Sequence, residues 1–358
     1  MREQYRVAVW GTGPLGGALV RHIATMDSLK LVGAFSYTPA KSGRDVGEVI
    51  GIGTMGAQVT TDREALIAQH PDVVLHAPRI DGNWDTDDDV LELLGAGINV
   101  ITALPYHGLR WRGDGAYNRF QRKAAAGGAT LYVTGADPDF VERLVLTLTG
   151  LCGQVSHILV REIWAADGLG PLLFQAAGFG QPLSAVQSAS VLKLADDFVT
   201  PTMRLMGEHI GAPLGRVEAT DTSMAAPEDI NLGFTTIKRG TLGTLRLRWD
   251  GYVADRVACT FEMLYYCGET MRPPEAVAAE CWIIEIEGRP SVRVTLDMVA
   301  SIRHGTTRYD HDPTTPGYYA SAAPLLQAIP LVVDAPAGIK ECVMPTLHYT
   351  HDLRQPRP

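Results

Sequence analysis

The chain has 358 residues, 46% of them hydrophobic and 20% charged, with a formal net charge of −9. That length predicts about two domains, and the acidic balance argues against nucleic acid or an anionic membrane surface as partner. No run of about 18 apolar residues marks a membrane span, and no apolar leader precedes the first predicted strand. Five scattered cysteines (Cys152, Cys259, Cys267, Cys281, Cys342), never in C-x-x-C, read as reduced thiols of a cytoplasmic protein rather than a zinc site or disulfide frame.

The first predicted element is a buried strand, Arg6 to Trp10, running into Gly11-Thr12-Gly13-Pro14-Leu15-Gly16 and then an apolar helix start. Each glycine of this G-x-G-x-x-G pattern has its own role. They give a sharp turn, backbone approach to a pyrophosphate, and close packing of helix on strand. The positive helix end would hold phosphate charge. A second strand, Leu29 to Phe35, ends at Ser36-Tyr37-Thr38-Pro39-Ala40-Lys41. Sites that select NAD place Asp or Glu about 20 residues past the glycines, to grip the ribose 2′-hydroxyl. Here Ser36, Thr38 and Lys41, with Arg44 further on, suit a 2′-phosphate, so NADP(H) is favoured over NAD(H), although an ordinary polar loop would read alike.

Strands then alternate with helices. Predicted strands are Ala57 to Thr60, Asp72 to Ala77, Asn99 to Thr102 and Thr130 to Val133; helices are Arg63 to Gln69, capped by Asp62, an acidic start at Asp85 to Asp89 leading on to Leu94, and Tyr117 to Ala126. The alternation predicts a Rossmann-type doubly wound parallel sheet over residues 1–138. Ligands bind such sheets beyond the carboxyl ends of the strands, which nominates three loops: His76-Ala77-Pro78-Arg79 and Ala103 to His107 to flank a nicotinamide, and Thr134 to Asp139 as the way into the second domain.

Residues 139–318 read as an α+β substrate and dimerisation domain on a mainly antiparallel sheet. It opens with a helix from Phe140 to Leu151 and a strand from Val155 to Trp164. Helix predominates from Ser184 to Gly211, interrupted near Thr200-Pro201. A strand series follows: Arg216 to Thr220, Phe234 to Arg239, Thr241 to Trp249, Arg256 to Cys267, Cys281 to Ile286 and Val292 to Met298. Residues 319–358 are expected to return to the first domain, through a helix from Ala320 to Asp334.

Hydride transfer would need a proton donor near the acceptor atom. Candidates are Tyr106, His107 and Asp137; Leu104, Pro105, Asp139, Glu162 and Trp164 are candidates for framing a substrate. Asp137 and Asp139 also suit the helix cap before Phe140, and Glu162 and Trp164 could equally be an exposed acid and a core aromatic. The pairs His304/His311 and His348/His351 with Asp352 lack a metal-site spacing such as H-E-x-x-H, so no metal is expected.

The sequence resembles the dihydrodipicolinate-reductase-like proteins that include 2,4-diaminopentanoate dehydrogenase and the native amine dehydrogenases, uncharacterised actinobacterial members above all. The resemblance is carried by Val9 to Gly13, Thr38 to Gly47, Gly97 to Thr102, Tyr132 to Gly135, Arg248-Trp249-Asp250-Gly251 and the tail through Ala328-Ile329-Pro330 and Ala335 to Ile339. It implies a Rossmann domain, a second domain whose sheet lines the cleft, NAD(P)H and a homodimer. The His-His-x-x-Lys motif of true dihydrodipicolinate reductases is missing, and the amine dehydrogenases' catalytic glutamate would fall at Leu104 or Pro105. The chain therefore reads as an NAD(P)H-dependent oxidoreductase acting on a C=O or C=N bond of a small, fairly apolar molecule. The alternative is a Rossmann protein without hydride transfer: a cyclase, an isomerase or a cofactor-binding regulator.

Overall fold

The computed structural model describes residues 3–79, 86–113, 115–186 and 190–342. Asp85, His348, His351 and Asp352, singled out above, lie outside them. The chain forms two compact units, one from residues 1–80, 84–140 and 317–342, the other chiefly from residues 141–316.

The first unit is built on strands β1 (Tyr5–Trp10), β2 (Leu29–Phe35), β3 (Val59–Thr60), β4 (Val73–His76), β5 (Asn99–Thr102) and β6 (Thr130–Val133). They lie in the order 6-5-4-1-2-3, every pairing parallel. This is the doubly wound order, and it reverses between β1 and β4, where Trp10 stands opposite both Phe35 and His76. Helices α1 (Pro14–Ile23), α2 (Val46–Ile50), α3 (Arg63–Ile67), α4 (Asp87–Gly95) and α5 (Ala116–Gly127) make the crossovers. Asp62 caps α3 as expected, accepting from the N–H groups of Glu64 and Ala65. β4 and β6 are buried throughout and β1, β2 and β5 over most of their length, as expected where helices cover both faces of a sheet.

Two glycines let the first turn close. Gly11 has φ +109°, and a Cβ there would lie 1.9 Å from the Ala77 carbonyl oxygen. A Cβ on Gly16 would lie 2.0 Å from the Gly11 carbonyl oxygen, so α1 can sit on β1 only with hydrogen at that position.

The tail differs from the expected single helix. Pro316–Gln327 and Ile329–Val333 are separate helices, broken at Ala328, and Pro330 sits in the first turn of the second, where its missing N–H costs nothing. Ala322, Leu325, Ile329 and Val332 join Val7, Val9 and Leu19 in one core. An additional strand, Gly338–Lys340, pairs in parallel with β6; three residues are too few to leave a periodic signal.

The second unit opens with helix α6 (Phe140–Thr149) and strand β7 (Gln154–Ala165). Strands β8 (Arg216–Asp221), β9 (Met224–Ala225), β10 (Ile230–Asn231), β11 (Thr236–Ile237), β12 (Leu242–Val253), β13 (Arg256–Tyr266), β14 (Glu280–Arg289) and β15 (Val292–Met298) follow. The main sheet runs β15-β14-β7-β13-β12-β8, with β9 on β12, and is mixed because β7 and β13 run parallel. The expected strand from Phe234 to Arg239 reduces to β11, which pairs with β10 in a two-stranded sheet.

The expected interruption at Thr200-Pro201 is also absent. Ser190–His209 is one helix with Pro201 inside it. Met203 and Met206 are buried below 2% exposure, and this packing outweighs the proline's local cost.

Gly16→Ala is expected to lower the urea midpoint strongly, by more than about 2 kcal/mol of stability, because backbone cannot yield as a side chain can. Gly13→Ala, with nothing within 4 Å of its added methyl, leaves the midpoint within about 1 kcal/mol. Equal losses in the two variants would contradict this assignment.

Candidate functional site

The carboxyl ends of β1 and β2 bring most of the predicted nucleotide contacts together. Thr12 Oγ1 donates to Ser36 Oγ at 3.1 Å, and Lys41 Nζ donates to both Thr12 Oγ1 (3.1 Å) and the Thr12 carbonyl (3.3 Å). The Thr38 N–H donates to Ser36 Oγ at 3.2 Å, and its carbonyl accepts from the Lys41 N–H. Thus two hydroxyls and an ammonium meet at the end of β2, and among the described residues no carboxylate is a hydrogen-bond partner of theirs.

Gly13 and Pro14 are exposed. No side chain caps α1 at Gly13, so its first N–H groups are left for another acceptor. Open space around Gly13, against backbone crowding at Gly11 and Gly16, gives the three glycines three different roles. A dinucleotide fits here: the bare helix end suits the pyrophosphate and the Lys41 cluster suits the adenosine ribose.

The Arg79 guanidinium lies over the Tyr37 ring, 5.3 Å from the centroid, beside the chain neighbour of Ser36. Tyr37 was not among the predicted contacts, since no spacing rule marks it. Its hydroxyl accepts from Trp10 Nε1 at 3.1 Å and donates to Asp89 at 3.4 Å, while Arg63 pairs with Asp89 at 2.6 Å. Ala77 packs against Gly11 and donates its N–H to the Trp10 carbonyl; Pro78 follows it, half-buried.

Of the proton-donor candidates, Tyr106 is 1% exposed, its ring against Phe120 and its hydroxyl 2.9 Å from Thr86 Oγ1. Burial pushes its phenol far above the ordinary range. Tyr106 is thus an anchor between the β5 loop and the start of α4, as is the Arg112–Asp87 pair (3.0 Å) beside it. His107, on the short turn Tyr106–Gly108, and Asp137 are both half-buried. Ala103 lies against Gly135, so the β5 and β6 loops touch. Leu104 and Pro105 are buried, and the Leu104 N–H is held by Thr102 Oγ1. Asp139 is buried with φ +106°, its Oδ2 accepting from Thr134 Oγ1 at 2.5 Å.

His76 ends β4 at 0% exposure. Its Nδ1 meets Thr102 Oγ1 at 3.0 Å, and among the described residues Nε2 has no partner. Burial lowers its pKa to about 3, so it stays neutral and takes no part in acid–base exchange.

In the second unit Glu162 and Trp164 share a partner. Tyr265 donates its hydroxyl to Glu162 Oε2 at 3.1 Å, and the Trp164 ring lies tilted on Tyr265 at 6.3 Å. Burial pushes the Glu162 carboxyl up to about 7; the Tyr265 bond opposes this and Glu142 and Glu280 reinforce it.

Residues 5–79 match the family model described as dihydrodipicolinate reductase, N-terminus. An amine dehydrogenase of Streptomyces virginiae is 24% identical over 347 residues, covering 94% of each chain. Over nearly its whole length the chain is thus similar to an amine dehydrogenase, and over its first 79 residues to the dihydrodipicolinate reductases.

Among solved structures, the amine dehydrogenase of Mycobacterium smegmatis shares the fold with TM-score 0.74 at 20% identity, covering 94% of both chains. GenD2 from gentamicin A biosynthesis, in complex with NAD, gives TM-score 0.55 at 16% identity over 92% of this chain and 87% of that one. The family model spans β1 to Arg79, the same stretch that supplies the glycine turn and the Lys41 cluster.

Because His76 is held neutral when folded and titrates near 6.5 when unfolded, the unfolded chain binds more protons between those values. Stability is therefore full above about pH 6.5 and falls as pH drops toward 3. His76→Gln should flatten that slope in urea titrations at stepped pH. An unchanged slope would show that His76 is not held neutral.

Proposed function

We propose that the protein is an NADP(H)-dependent oxidoreductase that reduces a C=O or C=N bond of a small substrate. The observation that carries this reading is the meeting of Thr12, Ser36 and Lys41 at the end of β2, where the NAD-selecting carboxylate would otherwise stand. Arg79 over Tyr37 adds a second cation on the same side. A bound nicotinamide would supply the hydride; this chain must hold the dinucleotide and deliver a proton.

The proton comes from His107 or Asp137 in this reading. Both are half-buried in loops at the carboxyl ends of β5 and β6, where open α/β sheets take their ligands. Tyr106 drops out, because its hydroxyl is engaged by Thr86 and its phenol holds its proton too tightly. Leu104 and Pro105 offer no proton in the place of the amine dehydrogenases' glutamate, so the donor differs from the one the resemblance implies.

The test is oxidation of NADPH, followed by its absorbance, against a panel of small ketones and cyclic imines. His107→Gln and Asp137→Asn are compared with wild type. The donor variant should lose about 10²–10⁴ in kcat while NADPH affinity holds. Tyr106→Phe should lose about 1 kcal/mol of stability and keep its kcat. Bound NADPH that no carbonyl or imine oxidises would instead support a non-redox protein on the same fold.

A further inference from the structure

One face of the second unit's sheet gathers polar groups that the proposed hydride transfer does not use. Along β7, β13 and β14 the ladder sets Glu162 beside Met263 and Trp282, and Trp164 beside Tyr265 and Glu280. Side chains of such paired residues share a face. Glu162, Glu280 and Trp282 are therefore neighbours over one end of the sheet, with Glu142 of α6 close enough to act on the Glu162 charge.

Glu162 is 8% exposed and has no ion pair among the described residues. Tyr265 satisfies Oε2. Trp282 is 1% exposed, and its indole N–H has no acceptor among the described residues. Thr315, 4% exposed, has no partner for its Oγ1 among the described residues. Its methyl and Glu280 Oε1 lie 3.1 and 3.2 Å from the point where a Cβ on Gly168 would stand, so Gly168 keeps these two side chains close. A buried carboxyl without a cation, and a buried N–H and hydroxyl without partners, are each costly unless something else completes them. Glu162, Trp164 and Tyr265 keep 8%, 7% and 8% of their surface exposed.

We propose that Glu162, Trp282 and Thr315 form a binding site for a small molecule that carries a protonated amine and, a few bonds away, a neutral oxygen acceptor. The ammonium pairs with the Glu162 carboxylate, and the rings of Trp164 and Tyr265 flank the cation. The oxygen accepts from the Trp282 indole N–H, with the Thr315 hydroxyl completing its hydrogen bonding. An alcohol or ketone oxygen meets that need, so the class is amino alcohols and amino ketones. This deepens the oxidoreductase reading and rests on it in one respect, that the molecule held here is the substrate.

The charge of the site predicts a proton linkage. Without ligand, burial and the nearby Glu142 and Glu280 carboxyls hold the Glu162 proton up to about 7, against the Tyr265 hydrogen bond. An arriving ammonium favours the ionised form, so binding below that value expels a proton and affinity rises as pH climbs through it.

The experiment is calorimetric titration of the full-length, cofactor-free protein with three probes of nearly equal shape. These are 1-amino-2-propanol, isobutylamine (oxygen replaced by methyl) and 1,2-propanediol (amine replaced by hydroxyl). The amino alcohol should bind most tightly, isobutylamine roughly tenfold more weakly and the diol not measurably. Paired buffers of different ionisation enthalpy should show close to one proton released per ligand at about pH 6 and almost none at about pH 8.5.

Glu162→Gln should lose the amino alcohol by at least roughly tenfold and lose the proton release. Trp282→Phe should erase the preference for the amino alcohol over isobutylamine. Glu162→Gln should also unfold at a higher temperature than wild type above about pH 7, where the native carboxylate is costly to bury, which separates lost binding from lost folding. Diol binding equal to that of the amino alcohol, or a Glu162→Gln titration like wild type, would overturn the proposal. Either result alongside intact NADPH binding would leave the nucleotide reading standing.

Discussion

The first unit depends on one close approach. At Gly11 and Gly16 backbone meets backbone with no room for a Cβ, and this lets the β1 turn press against Ala77 while α1 settles on β1. Gly13 has no such crowding and is exposed. Packing therefore fixes the first and third glycines, while the second is left to ligand approach. Because β1 lies between β2 and β4, the same turn aligns Ser36 on one side with Ala77 on the other.

Much of this was legible in the sequence, for physical reasons. Strands buried on both faces read as apolar runs, and helices between them keep a 3.6-residue period, so the doubly wound sheet could be inferred before its order was known. The grouping of Ser36, Thr38 and Lys41 followed from the chain's fixed path out of β2. What the sequence concealed depends on contacts between segments distant along the chain. Tyr37 and Arg79 are 42 positions apart, yet share a cation–π contact that no spacing rule encodes. Tyr106 was a donor candidate because its loop lies beyond the carboxyl end of a strand; burial against Phe120 and the bond to Thr86 make it an anchor. The helix through Pro201 survives by tertiary packing, which local propensity cannot report.

The two units place titratable groups in contrasting surroundings. His76 is buried without a charge partner and is forced neutral, which suits a wall beneath a ligand rather than a catalyst. Glu162 is buried with other carboxyls nearby and is poised close to neutrality, which suits proton exchange or a cation.

The central claim is that the end of β2 is built for a 2′-phosphate. It is tested most directly by isothermal titration of the purified protein and its Lys41→Ala variant with NADPH and NADH at one salt concentration. The account predicts that wild type binds NADPH at least roughly tenfold more tightly than NADH, and that Lys41→Ala erases most of the difference while leaving NADH affinity nearly unchanged. Equal or tighter binding of NADH by wild type, or a preference indifferent to Lys41, would contradict it.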